Sequence, residues 1–108
     1  MQSKNYIELI GYLGRDPEQK GKLVIFTVAT TYKRKEGEPE TSWHRCKAFG
    51  TTGEVAMKYL HKGSLVQVEG RMEYGSYDKE GVKVNTADVM VNSLMLLDRK
   101  PKDNDEPF

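Results

Sequence analysis

The sequence of 108 residues has one cysteine, Cys46. An internal disulfide and a zinc cage of thiolates are both excluded, which fits a reducing cytosol. No apolar run comes near the roughly 18 to 20 residues that a spanning helix needs. The opening Met1-Gln2-Ser3-Lys4-Asn5 lacks the apolar core of a secretion signal, so a cytoplasmic protein without a membrane segment is expected. Neither a GxxxxGK[ST] loop nor a GxGxxG turn occurs. Without those phosphate cradles, nucleotide hydrolysis and dinucleotide chemistry have no footing, and no cofactor is expected. An excess of one charge is missing as well, since the formal net charge is +1. Affinity for a polyanion would have to come from where the charges sit.

With 31% charged and 37% apolar residues, the composition suits a soluble globular chain of one domain. Residues 6–14 are apolar-rich with Gly11 and Gly14 inside, the mark of a curved strand that ends at Arg15-Asp16-Pro17. Residues 23–31 are dense in β-branched side chains, with Val24, Phe26 and Val28 alternating toward one face of a second strand. Residues 33–40 read as an exposed hairpin loop, and residues 41–49 as a third strand. Thr51 or Thr52 can then cap a short helix in which Val55/Tyr59 and Ala56/Leu60 are i,i+4 pairs, with Gly63 as the stop.

Residues 65–74 alternate again, placing Val66, Val68, Met72 and Tyr74 on one side, before a turn-like stretch at residues 75–81. A fifth strand over residues 82–97 changes its apolar parity between Val84 and Val89, which predicts a bulge there. Three strands, a helix and two strands is the order of an all-β fold, a five-stranded OB-fold barrel with one short helix between strands 3 and 4.

The third strand has the most informative split. Trp43, Arg45, Lys47 and Phe49 share one face, while His44, Cys46 and Ala48 share the other. Small Cys46 and Ala48 suit an interior, so the larger set should point outward. Aromatic rings offer flat stacking partners to bases and the neighbouring cations meet phosphates, so this row predicts contact with unpaired nucleic acid. Tyr77, in the loop joining strands 4 and 5, and Tyr74 beside it are further candidates, although Tyr74 also has the parity of a core residue. Tyr32, Lys33, Arg34, Arg15 and Arg71 are placed to extend such a groove.

Rival readings are weaker in the residues themselves. Cys46 and His44 form the one tempting catalytic pair, yet a small thiol facing inward is commonly inert. His44, Cys46 and His61 lack the spacing of a metal site. A non-enzyme with no bound metal is expected. An adaptor for replication or primosome assembly, or a binder that prefers RNA, would use the same face.

Three stretches carry a resemblance. They are Gly11-Tyr12-Leu13-Gly14-Arg15-Asp16-Pro17-Glu18, the strand Thr41-Ser42-Trp43-His44-Arg45 through Phe49-Gly50, and Tyr59-Leu60-His61-Lys62-Gly63-Ser64-Leu65-Val66-Gln67-Val68-Glu69-Gly70. In them the chain resembles the bacterial and phage single-stranded DNA-binding proteins of the SSB family along nearly its whole length. That resemblance implies an OB-fold homotetramer that wraps single-stranded DNA during replication, recombination and repair. It matches Trp43, Phe49 and Tyr77 to base-stacking positions and Arg45 to a basic position beside the stacking tryptophan. Two features depart from the family pattern: Arg34 stands where many members have an aromatic, and only residues 98–102 precede the terminal segment. The second points to a compact phage, plasmid or prophage form.

On this reading residues 1–98 are the DNA-binding domain and residues 99–108 a short flexible acidic tail. The end, Asp103-Asn104-Asp105-Glu106-Pro107-Phe108, is similar to the family's acidic tip. Asp103, Asp105, Glu106, Pro107 and Phe108 are the expected partner-binding residues: Phe108 can enter an apolar pocket while its α-carboxylate and the nearby acids pair with Arg or Lys on a partner. Replication and repair proteins are the expected partners of the tip.

Overall fold

Alternating side chains on a pleated strand go to opposite faces, and Leu23–Tyr32 obeys this rule through its first six residues. In the computed structural model, which describes residues 2–97, Val24, Phe26 and Val28 are buried while Leu23, Ile25 and Thr27 stay partly open. The elements are β1 (Ile7–Leu13), β2 (Glu18–Lys20), β3 (Leu23–Tyr32), β4 (Glu40–Phe49), α1 (Gly50–Tyr59), β5 (Leu65–Lys79) and β6 (Val82–Leu96). The strands are ordered β1-β5-β6-β4-β3-β2. A further pairing of β1 with β3, Tyr12 opposite Ala29 and Leu13 opposite Val28, closes five of them into a ring. This is the expected OB-fold barrel, with its helix between the third and fourth strands of the ring. The three-residue β2, which pairs with β3, is an addition that its polar Glu18-Gln19-Lys20 did not announce.

The barrel interior is apolar and closely filled. Phe26, Val28, Cys46, Val66, Val68 and Val89 are all nearly or wholly out of water. Burying a side chain of the size of Val or Phe stabilises the fold by roughly 1.5–3 kcal/mol. The helix packs on β3, β4 and β6. Of the two predicted helical pairs, Ala56/Leu60 faces the barrel and Val55/Tyr59 faces water. The expected threonine cap is corrected: α1 follows β4 without a loop, so the cap position falls on extended Phe49 and has no side-chain hydrogen bond.

Two features of the β5–β6 hairpin differ from expectation. The turn is shorter than residues 75–81, because Glu80 and Gly81 both adopt positive φ, 51° and 82°. Such a two-residue turn matches the twist of its strands, and pairing therefore runs out to Lys79 opposite Val82. The parity change also lies elsewhere. Glu69 pairs with Ser93 but Gly70 with Val91, which leaves Asn92 as the extra residue. A Cβ on Gly70 would stand 2.0 Å from the Met90 carbonyl oxygen, so the close approach at this bulge needs glycine. Val89 and Val91 before the bulge, and Leu94 and Leu96 after it, can then all face the core. Among the described residues no helix is long and apolar enough to cross a membrane. The proposed tail and its residues Asp103, Asp105, Glu106, Pro107 and Phe108 lie outside the described residues.

Candidate nucleic-acid interface

β4 pairs with β3 over ten positions, from Leu23 opposite Phe49 to Tyr32 opposite Glu40. That register fixes the two faces of β4. Cys46 and Ala48 enter the core, while Trp43 and Phe49 keep 61% and 51% of their surface in water. Arg45 lies between the two rings on the same side, exposed, and Lys47 is half-buried.

The floor beside Trp43 comes from the end of β1. Gly63 N donates to Leu13 O, Gly14 N donates to Thr27 O, and Lys62 N donates to Asp16 Oδ1. The bond to Thr27 ties Gly14 to β3, and the other two tie Leu13 and Asp16 to the segment between α1 and β5. A Cβ on Gly14 would come within 2.4 Å of Trp43 Cζ3 and within 3.3 Å of two more ring carbons. The indole therefore lies against the Gly14 backbone, in a contact that only the absence of a side chain permits. An open groove of about 380 Å³ follows, lined by Arg15, Glu18, Lys20, Ile25, Thr27, Trp43 and Arg45. A neighbouring hollow of about 350 Å³ touches Gly14, Arg15, Thr27 and Trp43.

On the far side of β4 the face continues across β6 and β5. Lys47 sits opposite Met90 in a parallel pairing, and Arg71, Glu73 and Tyr77 sit opposite Met90, Asp88 and Val84. Residues directly opposite share a face. Arg71, Glu73, Tyr77 and Asp88 thus join Lys47 on the outer side. Tyr77 is a strand residue rather than the expected loop residue, and 52% of it is exposed.

Other predicted residues are distributed differently. Tyr74 is 72% exposed, so its core parity does not bury it; it stands on the opposite side of the hairpin from Tyr77, beyond the end of the barrel. Tyr32 has the same relation to Trp43 on the β3–β4 hairpin. Lys33 is exposed in the loop of residues 33–39, and Arg34 pairs with Glu40 at 2.5 Å. Arg15 reaches the groove, next to Trp43 and Arg45.

Sequence reasoning missed Gly14, Lys20, Glu73 and Asp88. Gly14 had a local signal, a glycine at the end of a strand just before Arg15. The two acids had none, because their place beside Lys47 depends on pairing between strands about 25 to 40 residues apart in sequence, a non-local contact.

Electrostatics on this face are mixed. Lys47 Nζ lies 3.0 Å from Glu73 Oε1 and 3.5 Å from Asp88 Oδ2. The hydrogen bond and charge of Lys47 hold the Glu73 carboxyl below its ordinary pKa. Beneath the face, burial and then the Asp88 charge push the Cys46 thiol up to about 12. Its proton is directed at the His44 carbonyl, and the His44 ring is hydrogen-bonded to Thr30 Oγ1 at 2.9 Å. The thiol is thus neither ionised nor paired with the imidazole, as a nucleophile would need. Among the described residues no group of three His, Cys, Asp or Glu side chains is arranged to hold a metal.

A closed five-stranded barrel, with exposed rings and arginines along an outer groove, places the chain in the OB-fold class. The sequence pattern of the single-strand binding protein family matches residues 4–97, and the chain belongs to that family. It is 39% identical over 103 residues to the single-stranded DNA-binding protein of Xanthomonas campestris pv. campestris, covering 86% of this chain and 60% of that one. It is 38% identical over 115 residues to single-stranded DNA-binding protein 1 of Xylella fastidiosa, covering 96% and 85%. The mitochondrial single-stranded DNA-binding protein of Oryctolagus cuniculus is 31% identical over 119 residues, with 94% and 80% covered. Among solved structures, a Plasmodium falciparum SSB complex with ssDNA superposes with a TM-score of 0.79 at 25% identity, covering 91% of this chain and 98% of that one.

Proposed function

We propose that this chain binds single-stranded DNA without sequence preference and protects it during replication, recombination and repair, as a non-catalytic protein. One observation carries the reading: Trp43 and Phe49 stand exposed on one strand with Arg45 between them, beside a groove that Arg15 and Lys20 also line. Flat rings accept any base, and the cations meet the backbone that every strand shares. Trp43, Phe49 and Tyr77 are the stacking residues in this proposal. Arg15, Arg45 and Arg71 are the phosphate contacts, with Lys33 and Arg34 at the margin. Tyr32 and Tyr74 lie on the reverse of their hairpins and would meet a strand only where it wraps round the edge.

Two further parts of the proposal concern partners. Ile10, Tyr12 and Met95 are exposed by more than half, and Ile10 and Met95 flank Gln67 across paired strands on the barrel's other outer face. An apolar surface of this kind supports association of copies, and a homotetramer is the assembly proposed. The acidic tip at Asp103, Asp105 and Glu106, ending in Pro107-Phe108, would recruit replication and repair proteins.

Anisotropy titrations of labelled oligo-dT, oligo-rU and a duplex of equal length, repeated over a salt series, test the central reading. Oligo-dT is expected to bind far more tightly than duplex, with log affinity falling by about 0.7 per phosphate neutralised as log salt rises. Equal affinity for duplex contradicts the proposal. Tighter binding of oligo-rU favours the RNA reading, because stacking alone separates the two poorly.

A further inference from the structure

The centre of the outer face holds three cations and two carboxylates. Besides its contacts with Lys47, Asp88 lies 3.8 Å from Arg45 Nε through Oδ1, and Glu73 lies 3.9 Å from Arg71 Nη2 through Oε2. The depths differ. The side chains of Lys47 and Asp88 are 22% and 13% exposed, against 55% and 48% for Arg45 and Arg71.

Resting on the single-strand reading above, we propose that Glu73 and Asp88 are built-in counter-anions. They withhold Lys47 from DNA phosphates and leave the guanidinium groups of Arg45 and Arg71 as the central phosphate contacts. Lys47, Glu73 and Asp88 together carry one net negative charge. A phosphate that reached the Lys47 ammonium would enter the field of two carboxylates, one of them largely shielded from water. The arginines differ in kind. Each touches its carboxylate at long range through one nitrogen, and a guanidinium has five N–H donors in a planar fork, so it can hold a phosphate as well. An ammonium is a compact point charge, and this one already faces two acceptors. The pattern predicts that a base, not a phosphate, lies over Lys47, and that the phosphates of this stretch fall on Arg45 and Arg71.

Salt dependence of oligo-dT binding reads this directly. Glu73→Gln/Asp88→Asn keeps both shapes, removes both charges and frees Lys47 for one more phosphate, so the slope of log affinity against log salt should steepen by about 0.7. Lowering salt from about 0.2 M to about 0.05 M then raises the variant's affinity about 2.6-fold more than the wild type's. Adding Lys47→Met to the pair should return the slope to its wild-type value. Three results overturn the proposal: a wild-type slope in the charge-neutral variant, a gain that survives Lys47→Met, or a loss of about 0.7 in slope from Lys47→Met alone. Circular dichroism checks folding, and if the double variant does not fold, Glu73→Gln at the more exposed site takes its place with a steeper slope still required. A wild type that binds no oligo-dT sinks the single-strand reading itself, whereas binding with unchanged variant slopes sinks the counter-anion role alone.

Discussion

On β4, Cys46 and Ala48 have no exposed surface, while Trp43 and Phe49 on the other face of the same strand leave more than half of theirs in water. The two sets are made by one backbone and differ in parity alone. Inside, close packing makes each side chain a matter of stability. Outside, the same strand presents rings and charges that the fold does not need in order to close. Stability and binding are thereby assigned to alternate residues, and a mutation should disturb one without the other.

The strongest challenge to this division is Phe26→Ala. Phe26 is 2% exposed, and removing a buried aromatic costs roughly 3–5 kcal/mol. Chemical denaturation should show that loss, and a variant that stays as stable as the wild type breaks the comparison from the inside. Trp43→Ala is its counterpart. Loss of a stacking ring should weaken oligo-dT binding by roughly 1–3 kcal/mol while the melting temperature holds. A variant that unfolds would assign Trp43 to the core.

Two milder changes sharpen the picture. Tyr77→Ala should weaken binding by less than Trp43→Ala does, and Tyr74→Ala by less again, because the two rings stand on opposite sides of the hairpin. Titrating both with a short oligo-dT separates them. Gly14→Ala should displace the indole that lies against its backbone, altering Trp43 emission in the free protein and lowering affinity with the barrel intact.

The smallest expected effect is in acid. Lys47 holds the folded-state pKa of Glu73 below the ordinary carboxylate range, by its hydrogen bond and its charge. That contribution is present above the unfolded pKa and is lost as pH falls through the folded one. In Lys47→Met it should be absent, so the melting-temperature difference between the two proteins should shrink on going from about pH 5 to about pH 3.

What the sequence revealed divides along the same line as local and non-local structure. The faces of β3 and β4 were readable because alternation is a property of neighbours, and the helix because its apolar pairs recur within four residues. The exposure of Trp43 followed from Cys46 and Ala48 being the smaller set. The β5–β6 hairpin was less legible. Its Glu80-Gly81 turn lacks the Asn-Gly signal that usually marks a two-residue loop. Once the strands extend past the barrel, parity no longer reports burial, and so Tyr74 looked like core and is exposed. The bulge at Asn92 and the meeting of Lys47 with Glu73 and Asp88 depend on register between distant strands, which no window of sequence contains.

Trp43 is the chain's one tryptophan, so its emission reports on the outer face of β4 and on no other place. Titrating the protein with oligo-dT while following that emission tests the central claim most directly. Stacking predicts strong, saturable quenching by the single strand and little change with duplex. Binding of oligo-dT that leaves the emission unaltered would contradict it, because the strand would then be held somewhere other than on this ring.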